Sequence, residues 1–277
     1  MQGTTVVITG ATSGIGEVAA DRLAAKGARI VFIARDKSRG EETLRHLHAI
    51  APDQAHAAHY ADLSQISEMK RVSAEIAAAE PRIDVLINNA GALFNARKLS
   101  ADGLEMTFAV NHMAYFVVTN LLLPRMGSGG RVVSTSSDAH KGAKLNFDDL
   151  QSEHGYSGFG VYGRSKLCNI LFTRELARRI KGTGVTANCL HPGFVATRFG
   201  DASGGIVSFA VRAAKNFALT PEQGAETIIY LASSPDVADV SGGYFYKSKI
   251  ATPTKEAQND ADAKRLWDVS AKISGVG

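Results

Sequence analysis

Cysteine, long apolar runs and blocks of one charge are all scarce in this chain, and each scarcity excludes a class of protein. Only Cys168 and Cys189 occur among 277 residues, both inside apolar segments and without a pairing pattern. That excludes a disulfide scaffold and fits reduced, buried thiols in a cytoplasmic protein. No apolar run approaches the roughly 20 residues that cross a bilayer, and "MQGTTVVITG" enters a strand at once, without a charged start and long apolar stretch. A soluble protein with no transmembrane segment is expected. The 31 basic and 27 acidic residues leave a net charge of +4, but they are interspersed. With no aromatic-plus-basic stripe and no zinc-finger spacing, nucleic acid is not an expected partner. His56 and His59 have a tolerable metal spacing but lack further ligands, so no metal is expected.

What is present is alternation. Short β-branched runs, "TTVVITG", "ARIVFIAR", "AHAAHYADL", "IDVLINNAG", "GRVVSTSS", "VTANCLHPG" and "GGYFY", are separated by helix-like segments such as "GEVAADRLAAKG", "ISEMKRVSAEIAAAEP" and "GLEMTFAVNHMAYFVVTNLLLPRM". The pattern predicts an α/β fold: one Rossmann domain over residues 1–277, with a doubly wound parallel sheet of about seven strands and helices on both faces. Polar and small residues gather where strands end, and in an open α/β sheet that edge binds ligands.

The first strand runs into "TGATSGIG". Gly10, Gly14 and Gly16 permit a tight turn and close approach of backbone amides to a pyrophosphate at a helix N-terminus. The loop Gly10, Thr12, Ser13, Gly14, Ile15, Gly16 is therefore a candidate dinucleotide site. At the end of the second strand, "FIARDKSR" places Ala34 where an NAD-selecting acid would stand and Arg35 directly after it. A guanidinium suits a 2′-phosphate, so NADP(H) is expected, with Asp36 as the competing ribose ligand. Asp62 and Leu63 offer a grip on adenine, and Asn89, Ala90 and Gly91 of "NNAG" let the backbone lie against the adenosine ribose. In "VYGRSK", Tyr162 and Lys166 are four residues apart and share one helix face.

Taken together, TGATSGIG, NNAG, a Ser-rich strand end, YGRSK and HPG, in this order, resemble the short-chain dehydrogenase/reductase family over essentially the whole chain. Phrases such as "SKLCNILFTRELARRIKGTGVTANCLHPG" and "TPEQGAETIIYL" are similar to its retinol dehydrogenase-like branch. The resemblance implies that Tyr162 exchanges a proton with the oxygen of a carbonyl or alcohol. An unperturbed phenol has a pKa of about 10, and Lys166 is expected to lower it while holding the nicotinamide ribose. Ser137, 25 residues before Tyr162, matches the substrate-orienting serine, with Ser134 and Ser136 as rivals by type. Asn111 matches the helix asparagine that holds a water for a proton relay through Lys166. Pro192, Gly193, Val195 and Thr197 match the turn along the nicotinamide, and His191 reads as a strand-end residue.

The implied activity is NADP(H)-dependent hydride transfer to or from a hydrophobic aldehyde or ketone. C=C reduction and a non-catalytic NADP-sensing role remain as alternatives. The insert "HKGAKLNFDDLQSEHGYSG" is either part of the substrate entrance or a plain surface loop. Residues 198–220, with Phe199, Ile206, Phe209, Val211 and Phe217 and a hinge at Gly204 and Gly205, form either a substrate lid or a packed helix. Relatives pair through the helices that here carry Asn111 and Tyr162, so a homodimer is possible; the extension at 247–277 is the other candidate to cover that surface or the substrate site.

Overall fold

The computed structural model describes residues 1–195 and 219–277. The first apolar run is a strand, β1 (Thr5–Thr9), with Val6, Val7 and Ile8 fully buried. Such a strand has to be covered on both faces. It lies at the middle of a sheet formed with β2 (Arg29–Ala34), β3 (Ala57–Tyr60), β4 (Val85–Asn88), β5 (Arg131–Thr135), β6 (Thr186–Leu190), β7 (Tyr244–Tyr246) and β8 (Lys249–Ile250). The strand order is β3-β2-β1-β4-β5-β6-β7-β8. Val6 pairs in parallel with Ile30 on one side and Val85 on the other. Strand order therefore reverses between β1 and β4, the topological switch point where such sheets bind ligands.

The seven strands expected from the sequence are all present, and β8 is an addition. It pairs antiparallel to β7 through a tight turn in which Lys247 and Ser248 both have positive φ, 49° and 58°. Two successive left-handed residues make a hairpin turn that normally takes Asn-Gly. The pair Lys-Ser carries no such signal, which explains why the sequence does not announce the strand.

One face of the sheet is covered by α1 (Gly14–Ala25), α2 (Lys37–Ile50) and α7 (Pro221–Ser233), which bury Leu23, Leu47 and Ile228 against Ile8 and Phe32. Local chemistry sets their starts. Asp36 accepts the Arg39 N–H at 2.8 Å and caps α2, while Thr220 and Gln223 form a capping box ahead of α7, whose first residue is Pro221.

The other face carries α3 (Ile66–Ala79), the short α4 (Met106–Phe108) leading to α5 (Ala114–Leu122), α6 (Gly158–Arg179) and α8 (Asp260–Ser274). The sequence reads 103–126 as one helix. The structure interrupts it with a π-turn at Ala109–Met113, which contains Asn111. Residues Met106–Arg125 are long and apolar enough to cross a membrane by length and composition, which corrects the expectation that no such stretch exists; 72% of that stretch is buried inside the fold. Its buried Asn111, His112 and Thr119 and its packing on α3 make it the central helix of this core.

Helix α8 settles beside α5 and α6: Trp267 stacks on Phe172 at 5.8 Å and meets Phe116 edge-on at 4.9 Å, with the Arg179 guanidinium 4.4 Å from its ring. The C-terminal segment thus packs on α5 and α6, the helices through which pairing of two chains is expected from the resemblance. The insert after β5 is tied down as well, with Leu145 and Phe147 packed against the core.

Candidate active site

Three loops meet at the C-terminal edge of the sheet around the switch point. The loop after β1 turns at Gly10, where φ is +73°, and a Cβ there would stand 2.9 Å from the Ala90 Cα. Gly16 is tighter still: a Cβ would lie 2.2 Å from the Gly10 carbonyl oxygen. Only glycine lets α1 begin this close to β1 and β4. The loop after β4 locks onto it. The Thr9 hydroxyl accepts the N–H groups of Asn89 and Ala90 at 2.9 and 3.0 Å, and the Asn89 amide donates to the carbonyls of Thr9 and Gly10. Asn88, fully buried, donates to Thr119 on α5 at 2.8 Å.

This arrangement fits a dinucleotide. Among the described residues, Ser13 provides no side-chain cap to α1, so the positive end of that helix is left for an anion beside a crevice that only glycines keep open. Thr12, Ser13, Gly14 and Ile15 make the turn from β1 into α1. Asp62 closes a tight turn by accepting the Ser64 N–H at 3.0 Å, which leaves Leu63 buried at the end of β3. Arg35 is exposed just past β2. Asp36, its rival for the ribose end, is engaged as the cap of α2. The residues that would hold the nicotinamide half are the turn Pro192, Gly193 and Val195, where Val195 bridges to Leu219 and lies within reach of Ile15 across Gly224. Thr197 and residues 198–218 of the expected lid lie outside the described residues.

The acid-base groups converge beside this crevice. Helix α6 delivers Tyr162 and Lys166 from one face; the ammonium sits 5.5 Å from the Tyr162 ring centroid and 5.8 Å from that of Tyr115. Ser137, just past β5, puts its hydroxyl beside the Tyr162 phenol, where it favours the ionised form. Its rivals are placed elsewhere: Ser136 donates to the Lys166 carbonyl at 2.8 Å, and Ser134 is fully buried in the strand. Lys166 donates to the Thr135 carbonyl at 3.1 Å, which also receives Asn169 at 3.2 Å. Asn111 commits both amide hydrogens, to the Ala92 carbonyl and to Ser165, each at 2.9 Å, and accepts the Ala92 N–H at 2.7 Å. Gly91 stands between Asn111 and Lys166, where a Cβ would be 3.3 Å from Asn111 Oδ1 and 3.4 Å from Lys166 Nζ.

Electrostatics corrects one expectation. Burial pushes the Tyr162 phenol up to about 12, with the Ser137 hydroxyl pulling the other way. Burial also draws the Lys166 ammonium down to about 7. Desolvation disfavours both charged forms, so Tyr162 is held as a protonated phenol, an acid ready to donate.

Thr9, Thr135 and Tyr115 are contributors that the sequence reading does not single out. Thr9 and Thr135 act through a hydroxyl and a carbonyl at strand ends, and Tyr115 packs over Lys166. His191 braces its turn by accepting the Gly193 N–H at 3.2 Å and stacks on Tyr246 at 4.1 Å. His56 accepts the Ile30 N–H. Cys168 and Cys189 are buried, their thiols pushed up to about 12 by desolvation.

Residues 4–204 match the family model of the short chain dehydrogenases. The chain belongs to that family. It is 41% identical to retinol dehydrogenase 14 of Mus musculus over 297 residues, covering 100% of this chain and 87% of that one. Against human retinol dehydrogenase 13 it is 37% identical, covering 99% and 85%. This short-chain dehydrogenase also superposes on an uncharacterised Mycobacterium paratuberculosis protein with a TM-score of 0.81 at 30% identity, over 99% of this chain and 94% of the other. A Burkholderia cenocepacia short chain dehydrogenase in complex with NADP gives a TM-score of 0.72 at 26% identity, over 88% and 96%. The protein is thus an oxidoreductase of the retinol dehydrogenase-like group, acting on CH-OH or C=O groups with a nicotinamide cofactor.

Proposed function

We propose that this enzyme reduces apolar aldehydes or ketones with NADPH. The observation that carries the reading is the convergence of Ser137, Tyr162 and Lys166 beside the glycine crevice. When bound, NADPH supplies the hydride that adds to the carbonyl carbon. Tyr162 donates its proton to the carbonyl oxygen, and its protonated state near neutral pH favours this direction. Ser137, beside the phenol, donates to the same oxygen as charge develops on it. Lys166 restores the proton to Tyr162 and grips the ribose. Asn111 serves the relay from across Gly91: its Oδ1, which accepts the Ala92 N–H, and Lys166 Nζ both flank that glycine, while its amide ties the Ala92 loop to Ser165 of α6.

Arg35 supports the choice of NADPH, since it is exposed at the ribose end while Asp36 is engaged in capping. That a relative in this fold was solved with NADP adds to this. An apolar substrate is supported by Phe159, 63% exposed and 6.5 Å from the Tyr162 ring, and by exposed Phe194 in the nicotinamide turn. The test is cofactor consumption by purified protein over a panel of apolar aldehydes and ketones, with NADPH and NADH in parallel. Turnover preferring NADPH supports the reading. Cofactor binding without consumption across the panel would oppose it.

A further inference from the structure

Beside Ser137 lies a histidine that the proposed chemistry leaves without a task. His140 is fully buried at the end of the turn Asp138–His140. Its Nδ1 lies 2.7 Å from the Ser137 carbonyl oxygen, and its main-chain N–H reaches the same oxygen at 3.1 Å. A carbonyl can only accept, so Nδ1 carries the proton. Nε2 is then an acceptor, and it meets the Thr254 N–H at 3.4 Å. Both ring nitrogens are matched by a single neutral tautomer, and the ring rests edge-on against Tyr244 at 5.3 Å.

The turn is clamped from the opposite side by α6. A Cβ on Gly163, the residue after Tyr162, would stand 2.5 Å from the Ala139 carbonyl oxygen. Ser137 is thus fixed between the helix that carries the acid and a histidine anchored to the C-terminal segment. Its hydroxyl has to meet Tyr162 while also accepting the Ala139 N–H at 3.2 Å.

We propose that His140 is a positioning residue for carbonyl reduction: it holds the Ser137 main chain so that the hydroxyl faces Tyr162, and Thr254 fixes the tautomer that lets it do so. This rests on the reading under Proposed function. It gives the C-terminal extension a part in catalysis through one chain of hydrogen bonds, from Thr254 to His140 to Ser137.

The test compares His140→Leu, which keeps bulk and loses the donor, with His140→Asn, whose amide can replace Nδ1, using 4-nitrobenzaldehyde and nonanal as probes. His140→Leu should lower kcat about 10- to 100-fold, in line with the cost of small misplacements at a reacting centre. The NADPH Kd, read by cofactor fluorescence, should stay within about twofold, because the hydrogen bonds of His140 go to Ser137 and Thr254 and not to the glycine loop. His140→Asn should recover most of kcat. In a Ser137→Ala background, adding His140→Leu should cost nothing further, since the histidine acts through Ser137. Should His140→Leu fail to fold, Thr254→Pro removes the N–H that fixes the tautomer and should lower kcat with an unchanged NADPH Kd. Equal rates for wild type and His140→Leu, no recovery with Asn, or additive losses in the Ser137→Ala background would each overturn the inference. A Tyr162→Phe variant that turns over at the wild-type rate would instead overturn the underlying reading.

Discussion

Lys166 is held at a cost, and replacing it with Met should make the protein more stable while it loses activity. The ammonium is 3% exposed, and burial draws its pKa from 10.5 to about 7. Because the folded-state pKa lies below the unfolded one, the native state binds fewer protons between these values. Its penalty is full below about 7 and fades as pH rises toward 10.5. By linkage that penalty is about 5 kcal/mol at pH 6 and about 2 kcal/mol at pH 9. Lys166→Met removes it but also loses the hydrogen bond to the Thr135 carbonyl, an interaction of about 2 kcal/mol for a charged donor. The net gain is about 3 kcal/mol at pH 6 and close to zero at pH 9. At about 2 °C per kcal/mol for a chain of this size, Tm should rise by about 6 °C at pH 6, with the advantage gone by pH 9. Thermal unfolding at pH 6, 7.5 and 9 reads this directly. A variant less stable than wild type at pH 6, or a gain independent of pH, would refute the claim that a desolvated ammonium sits in the site.

Further expectations follow from the same geometry. Arg35→Ala should weaken NADPH binding about 10- to 100-fold, the worth of a charge-assisted phosphate contact, and leave the NADH Kd nearly unchanged; titration with both cofactors checks it. The kcat/KM for NADPH, which reports ionisations of the free enzyme, should fall as pH rises through about 7, because the ammonium form of Lys166 is lost there, and Lys166→Arg should flatten that limb. Gly16→Ala puts a Cβ 2.2 Å from the Gly10 carbonyl oxygen; it should cost about 1–3 kcal/mol of stability and abolish NADPH binding, read by denaturant unfolding and fluorescence titration.

The sheet was legible because its strands are buried on both sides and so appear as apolar runs ending in polar turns. The glycine loop and the Tyr162–Lys166 pair were legible because their spacing is dictated locally, by one turn and one helix face. Other features depend on contacts distant in sequence. The hairpin at Lys247 and Ser248 uses left-handed residues without a glycine signal. The π-turn at Asn111 is fixed by Asn111's bonds to Ala92 and Ser165, and no local pattern announces it. The lysine was expected to lower the Tyr162 pKa, but the burial of both groups decides the direction, and burial is a property of the fold. His140 opens what reads as a surface insert, and only the return of the chain at Thr254 reveals its place beside Ser137.

The central claim is hydride transfer to a carbonyl carbon with Tyr162 as the acid. The most direct measurement is single-turnover reduction of an apolar enal by NADPH deuterated at C4 of the nicotinamide, with products resolved by mass spectrometry and NMR, for wild type and Tyr162→Phe. One deuterium on the new carbinol carbon, formed by wild type and lost by at least about 100-fold in the Phe variant, is the predicted result. Deuterium on the former alkene carbon, or equal rates in the two proteins, would contradict it.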